Sequence, residues 1–208
     1  MATENFKDLF KGSLTVPNLL SFLRIVMVPF LIYFFLNDMF IAAVVILFLS
    51  GLSDFLDGKI ARRFNQISAL GKVLDPIADK LTQISLAVML FITFHGAENE
   101  LLKAFSWVFL VFIIKEAVMV VGGSLMIAFG MRPGAAEFYG KLATMIFYIV
   151  MFILILFGPE VGAFNFLFTI PDVVVMIMVG VSAVLTIVAF FSYMPGTFRQ
   201  IKERFSKK

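Results

Sequence analysis

Apolar residues run along this chain in long blocks broken by short polar links, and the block length is the first clue. A helix that crosses a bilayer needs roughly 20 mostly apolar residues. Stretches 17–37, 39–63, 68–95, 102–130, 137–158 and 171–194 meet that requirement. They predict an all-α integral membrane protein with six transmembrane helices, forming one membrane domain over 1–208. Ahead of them, Phe6, Leu9 and Phe10 recur at helical spacing, with Lys7, Asp8 and Lys11 between. That pattern suits an amphipathic surface helix over 1–15 rather than a signal peptide, because the charges are interspersed and no apolar run precedes a cleavage site. From Pro195 to Lys208 the chain becomes a polar, basic tail.

The second and third blocks are unusual. The second begins as FIAAVVILFLSGL and ends as DFLDGKIARRF; the third opens with GKVLDPIADKL and then turns wholly apolar. Their charged ends face each other across a short link, Asn65 to Leu70. Both read as long helices whose polar ends project toward the same aqueous side.

Composition confirms lipid as the main solvent. The chain is 61% hydrophobic and 15% charged, whereas soluble domains average about a quarter charged residues. The absence of cysteine excludes disulfides, thiolate metal sites and cysteine nucleophiles. A net charge of +3 gives no reason to expect nucleic acid as a partner. The distribution of charge is more telling. With the N-terminus inside, the inner segments and adjoining helix ends hold every Lys and Arg except Lys103 and Lys115. The outer links carry Asp38, Glu98, Glu100 and Glu160. Positive charge collects on the cytoplasmic side, so both termini and the charged helix ends are expected there.

Asp54, Asp57, Asp75 and Asp79 carry the chemistry. A charge inside a span costs roughly 2.5–3.5 kcal/mol even on the lenient insertion scale. Asp54 and Asp57 are three apart, and Asp75 and Asp79 four apart, so each pair shares one helix face. The short link makes the two helices antiparallel neighbours, and the four carboxylates can converge. Lys59, Arg62, Lys72 and Lys80 could neutralise any one of them at a wet helix end. Four at these spacings point instead to a shared cation. Oxygen ligands without His or Cys select a hard ion such as Mg²⁺, Mn²⁺ or Ca²⁺, and four carboxylates suit two ions. Gly58, Ala61 and Gly71 lie on the same faces and would let a ligand approach the backbone; Arg62 is placed to grip a phosphate.

The run Asp54-x-x-Asp57-Gly58-x-x-Ala61-Arg62, then eight residues, then Gly71-x-x-x-Asp75-x-x-x-Asp79 resembles the signature of the CDP-alcohol phosphotransferases at every fixed position. The resemblance implies that an alcohol attacks a CDP-linked donor, usually CDP-diacylglycerol, and CMP leaves. It implies Asp54, Asp57 and Asp75 as metal ligands and Asp79 as the general base, also able to touch metal, with two Mg²⁺ or Mn²⁺ ions. Gly58, Ala61, Arg62, Gly71 and Asn18 would form the donor's nucleotide site. A bacterial inner-membrane setting and a homodimer are expected on the same ground.

The acceptor is read from weaker signals. Pro17, Asn18 and Arg24 resemble the first-helix pattern of the branch that uses glycerol 3-phosphate. Arg24, Arg132 and Lys141 are the cations proposed for an acceptor phosphate, Lys141 within a Gly140-Lys141-x-x-Thr144 element. Lys115-Glu116 resembles the Arg-Glu pair of that branch, but Gly122 and Gly123 stand where it carries Leu-Arg. Glycerol 3-phosphate is the preferred acceptor, with phosphatidylglycerol the alternative. Lys115 and Glu116 read as a structural ion pair with another helix, with a place in the acceptor pocket as the alternative; His95 reads as an interfacial residue and Trp107 as a lipid or packing residue. A cation channel or transporter is the competing reading, since intramembrane carboxylates often mark ion paths. Transport would favour polar groups at mid-membrane, repeated in two halves, whereas here they cluster at one end of one half.

Overall fold

A computed structural model describes residues 15–64, 68, 70–129 and 138–205, with the side chains of Ala61, Arg62, Lys72 and a few others near these breaks excepted. The expected surface helix at the N-terminus and Arg132 lie outside the described residues. The described elements are α1 (Val16–Leu36), α2 (Phe40–Arg63), α3 (Gly71–His95), α4 (Glu100–Phe105), α5 (Phe109–Ala128), α6 (Phe138–Phe157) and α7 (Asp172–Phe205). Six stretches are long and apolar enough to cross a bilayer: Val16–Leu36, Phe40–Ile60, Val73–His95, Glu100–Ile127, Phe138–Phe157 and Asp172–Gln200. The chain divides into two units, Met1–Ser85 and Leu86–Lys208, and α3 belongs to both.

In the first unit α1 and α2 form an antiparallel hairpin. α1 starts where Thr15 accepts a hydrogen bond from the Asn18 amide, with Pro17 in its first turn, a position where the missing N–H is no loss. The hairpin turns at Asn37–Met39, where Asp38 adopts a φ of 57°; Asp tolerates this left-handed region better than most residues. α1 buries Asn18, Ser21, Arg24, Met27, Val28, Leu31 and Phe35. That stripe keeps the i, i+3/i+4 rhythm of a helix face but changes from polar to apolar along its length. On α2 the buried positions change in the opposite direction, from Ala43, Val44 and Leu47 to Ser50, Ser53 and Asp57. Antiparallel pairing therefore sets polar against polar and apolar against apolar. α3 begins after Ser68, whose Oγ accepts from the Gly71 amide at 2.9 Å, as an N-cap side chain does.

The second unit is built on aromatic packing. Phe94 meets Phe109 edge-on at 5.5 Å between ring centroids, and Phe112 meets Phe147 at 5.0 Å. Met151, Leu154, Ile155, Val175 and Val179 are buried between α6 and α7. Gly140 on α6 lies directly against the Tyr193 ring on α7, and an added Cβ would displace its hydroxyl.

Two elements depart from the expected boundaries. The fourth span is not one regular helix: a 3-10 turn, Ser106–Val108, separates α4 from α5. Ser106 Oγ donates to the Lys103 carbonyl at 2.7 Å, a side-chain bond that competes with the regular ladder. The sixth span does not stop at Pro195 but runs through it to Phe205. Proline removes one ladder bond, and the Thr197 hydroxyl adds a bond to the Tyr193 carbonyl at 3.1 Å across the same turn. At 34 residues this helix is about 51 Å long, well beyond the hydrocarbon core of a bilayer.

Candidate active site: four carboxylates around one guanidinium

The site is assembled at the start of α1, the end of α2 and the start of α3. Arg24 on α1 points its guanidinium between both carboxylate pairs. Nη1 lies 2.6 Å from Asp54 Oδ1 and 3.0 Å from Asp79 Oδ1, and Nη2 lies 2.5 Å from Asp57 Oδ2. One turn earlier, the Ser21 hydroxyl lies against Asp75 Oδ1, 3.5 Å from Asp57 Oδ2 and 3.0 Å from the Pro17 carbonyl. Between them, two side chains of one helix touch all four aspartates.

Burial is graded across the cluster. The Arg24 side chain is 2% exposed and Asp57 6%, while Asp79 is 41% and Asp54 53% exposed. Arg24 is therefore the floor, and Asp54 and Asp79 form the open rim. Both aspartate pairs are brought to Arg24 and Ser21. The cation that they meet was expected in a different role, as a grip for an acceptor phosphate. Lys59, offered as a counter-ion, instead lies 4.0 Å above the Phe55 ring. Ser21 was missed altogether; its signal was the polar row Asn18, Ser21, Arg24 at three-residue spacing in an otherwise apolar helix.

The donor-site positions fall beside this cluster. Asn18 is buried and its Oδ1 accepts from Ser68 Oγ at 2.8 Å. Gly71 sits directly against it: a Cβ there would lie 2.6 Å from Asn18 Oδ1. A side chain here would have to displace Asn18. Gly58 is half-buried on the same helix as Asp54 and Asp57. Ala61 and Arg62 continue α2, but their side chains lie outside the described residues. Lys141 is exposed near the start of α6, in the second unit.

Among the described residues no three carboxylates converge on one ion-sized point; they are spread around the guanidinium. By donor chemistry they fit a hard divalent ion, since all four are anionic oxygen ligands. The guanidinium marks the place where this chain itself keeps positive charge.

Lys115 and Glu116, adjacent on α5, pair with each other. Glu116 is buried and its neighbour half-buried. His95 stacks on Phe91 at 5.4 Å, meets Trp107 edge-on at 5.5 Å and lies 3.3 Å from Ser106 Oγ. It belongs to an aromatic cluster far along α3 from the aspartates.

The model of the family described as CDP-alcohol phosphatidyltransferase matches residues 14–192. The chain is 40% identical over 137 residues to a cardiolipin synthase (CMP-forming) of Streptomyces coelicolor, a match covering 63% of this chain and 60% of that protein. It is 30% identical over 190 residues to the CDP-diacylglycerol–glycerol-3-phosphate 3-phosphatidyltransferase of Aquifex aeolicus, covering 90% of this chain and 98% of that one. It is 47% identical to the human cardiolipin synthase (CMP-forming) over 75 residues, which is 36% of this chain and 25% of the human one. No solved structure matches. With the family match spanning nearly the whole chain and both aspartate pairs gathered at one end of three helices, the protein belongs to the CDP-alcohol phosphatidyltransferase family.

Proposed function

We propose that this chain transfers the phosphatidyl group of CDP-diacylglycerol to a hydroxyl of glycerol 3-phosphate and releases CMP. The observation that supports it most is the gathering of Asp54, Asp57 and Asp79 within 3.0 Å of one buried guanidinium, at the ends of spanning helices. A lipid donor keeps its acyl chains in the bilayer, so its pyrophosphate must be met at such an end. The Aquifex relative, matched over 98% of its length, carries this activity in its name.

Asp54, Asp57, Asp75 and Asp79 would hold the metal, Mg²⁺ or Mn²⁺ and most simply two ions. When bound, the ions supply charge neutralisation of the pyrophosphate and stabilisation of the leaving CMP. Asp79, on the open rim, accepts the proton of the acceptor hydroxyl as its oxygen attacks phosphorus. A new phosphodiester forms and the bond joining that phosphorus to the CMP oxygen breaks. Asn18, Gly58, Ala61, Arg62 and Gly71 bind the nucleotide, and Lys141 and Arg132 draw the acceptor phosphate. The excess of Lys and Arg on one side supports a cytoplasmic site and cytoplasmic termini in a bacterial inner membrane. A homodimer rests on the likeness to the family alone.

A second acceptor, phosphatidylglycerol, is favoured by the 40% identity to the Streptomyces enzyme and by Gly122 and Gly123 in place of Leu-Arg. CMP release by the purified protein, given CDP-diacylglycerol and Mg²⁺ with either acceptor in parallel, decides between them. Release with glycerol 3-phosphate alone supports the first reading, and release with phosphatidylglycerol alone the second. Silence with both overturns both acceptors and turns the search to another alcohol.

A further inference from the structure

We propose that α1 positions the metal site through Ser21 and Arg24, a pair that orients all four carboxylates from below without itself being a ligand; this rests on the reading of the aspartates as metal ligands. The two residues are three apart and so share one face of α1. Arg24 reaches Asp54, Asp57 and Asp79, and Ser21 reaches Asp57 and Asp75.

The contacts are made from the buried side. Arg24 is nearly inaccessible, while Asp54 and Asp79 are the most exposed members of the cluster. Each contact from Arg24 engages a single oxygen: Oδ1 of Asp54, Oδ2 of Asp57 and Oδ1 of Asp79. A carboxylate engaged through one oxygen keeps the other off the guanidinium, and the contact biases the direction in which that second oxygen faces. The planar guanidinium does this for three carboxylates at once, a geometry that an ammonium cannot reproduce. Ser21 has one hydroxyl proton and three acceptors within reach, Pro17 O, Asp57 and Asp75. It joins the remaining carboxylate to the same row. Hydrogen-bond partners of ligating carboxylates commonly control metal affinity by about 10–100-fold.

Charge and position predict opposite effects of removing Arg24, because loss of a cation by itself strengthens divalent binding. Charge-conserving variants separate the two. The measurement is Mn²⁺ affinity of the full-length protein in detergent, read from the free-ion electron paramagnetic resonance signal, alongside thermal melting. Arg24→Lys and Ser21→Ala are expected to weaken Mn²⁺ binding about tenfold or more, while Ser21→Thr, which keeps the hydroxyl, stays within about twofold of the parent. Melting with saturating Mn²⁺ reports whether each variant is folded. Parent-like affinity or tighter binding in folded Arg24→Lys and Ser21→Ala overturns the positioning role. If Arg24→Lys does not fold, Ser21→Ala against Ser21→Thr decides alone. If the parent itself binds no Mn²⁺, or Asp57→Asn binds it equally well, the reading of the aspartates as ligands fails instead.

Discussion

Nη2 of Arg24 and Oδ2 of Asp57 lie 2.5 Å apart, with both side chains almost wholly buried. Breaking an isolated buried pair costs about 3–5 kcal/mol, but Arg24 keeps Asp54 and Asp79 when Asp57 is removed. Asp57→Ala is therefore expected to lower stability by less than that in chelator, and by more than Asp54→Ala. Asp54→Ala removes a contact to the same guanidinium from an exposed side chain and should cost no more than about 1 kcal/mol. Thermal or denaturant melting of the detergent-solubilised protein measures both, and equal losses would show that burial does not govern the cluster.

Asp79→Asn keeps the shape of the side chain but removes its capacity to take a proton. Turnover should fall by about 10²–10⁴-fold, the usual contribution of a positioned base. Donor binding should change little. CMP release and equilibrium binding of CDP-diacylglycerol separate the two, and a loss of binding that accounts for the whole loss of rate would remove Asp79 from the role of base.

Gly71 and Gly122 should behave oppositely toward alanine. A Cβ on Gly71 meets Asn18 Oδ1 at 2.6 Å, while one on Gly122 meets nothing within 4 Å. Gly71→Ala must displace Asn18, which also accepts from Ser68, and is expected to raise the KM for CDP-diacylglycerol severalfold. Gly122→Ala is expected to leave activity intact and add up to about 1 kcal/mol of helix stability. Steady-state kinetics and melting curves check the pair.

Chelation tests the metal reading. Activity should vanish in EDTA and return with Mg²⁺ or Mn²⁺, since four carboxylates with one arginine cannot offset a pyrophosphate's charge unaided. Undiminished turnover after exhaustive chelation would rule the mechanism out.

Much of this was legible in the residue pattern. The six apolar blocks and the spacing of the four aspartates each follow from local periodicity, which a sequence displays directly. The ends of elements were less legible. A 3-10 turn at Ser106 interrupts the fourth span and the sixth runs on through Pro195 to Phe205, boundaries that the apolar pattern does not mark.

The role of Arg24 was hidden for a different reason. As a lone arginine near the start of an apolar helix it could equally face a ligand, a headgroup or another side chain, and nothing local distinguishes these. By itself the sequence determined a membrane solvent, six helices and two carboxylate pairs, because hydrophobic block length and helical period are properties of adjacent residues. Only the tertiary structure decided that Ser21 and Arg24 lie beneath those carboxylates and that Asn18 packs directly against Gly71. Those relationships join residues 30 to 55 positions apart, and they exist only once the antiparallel packing of α1 and α2 and the return of α3 bring them together.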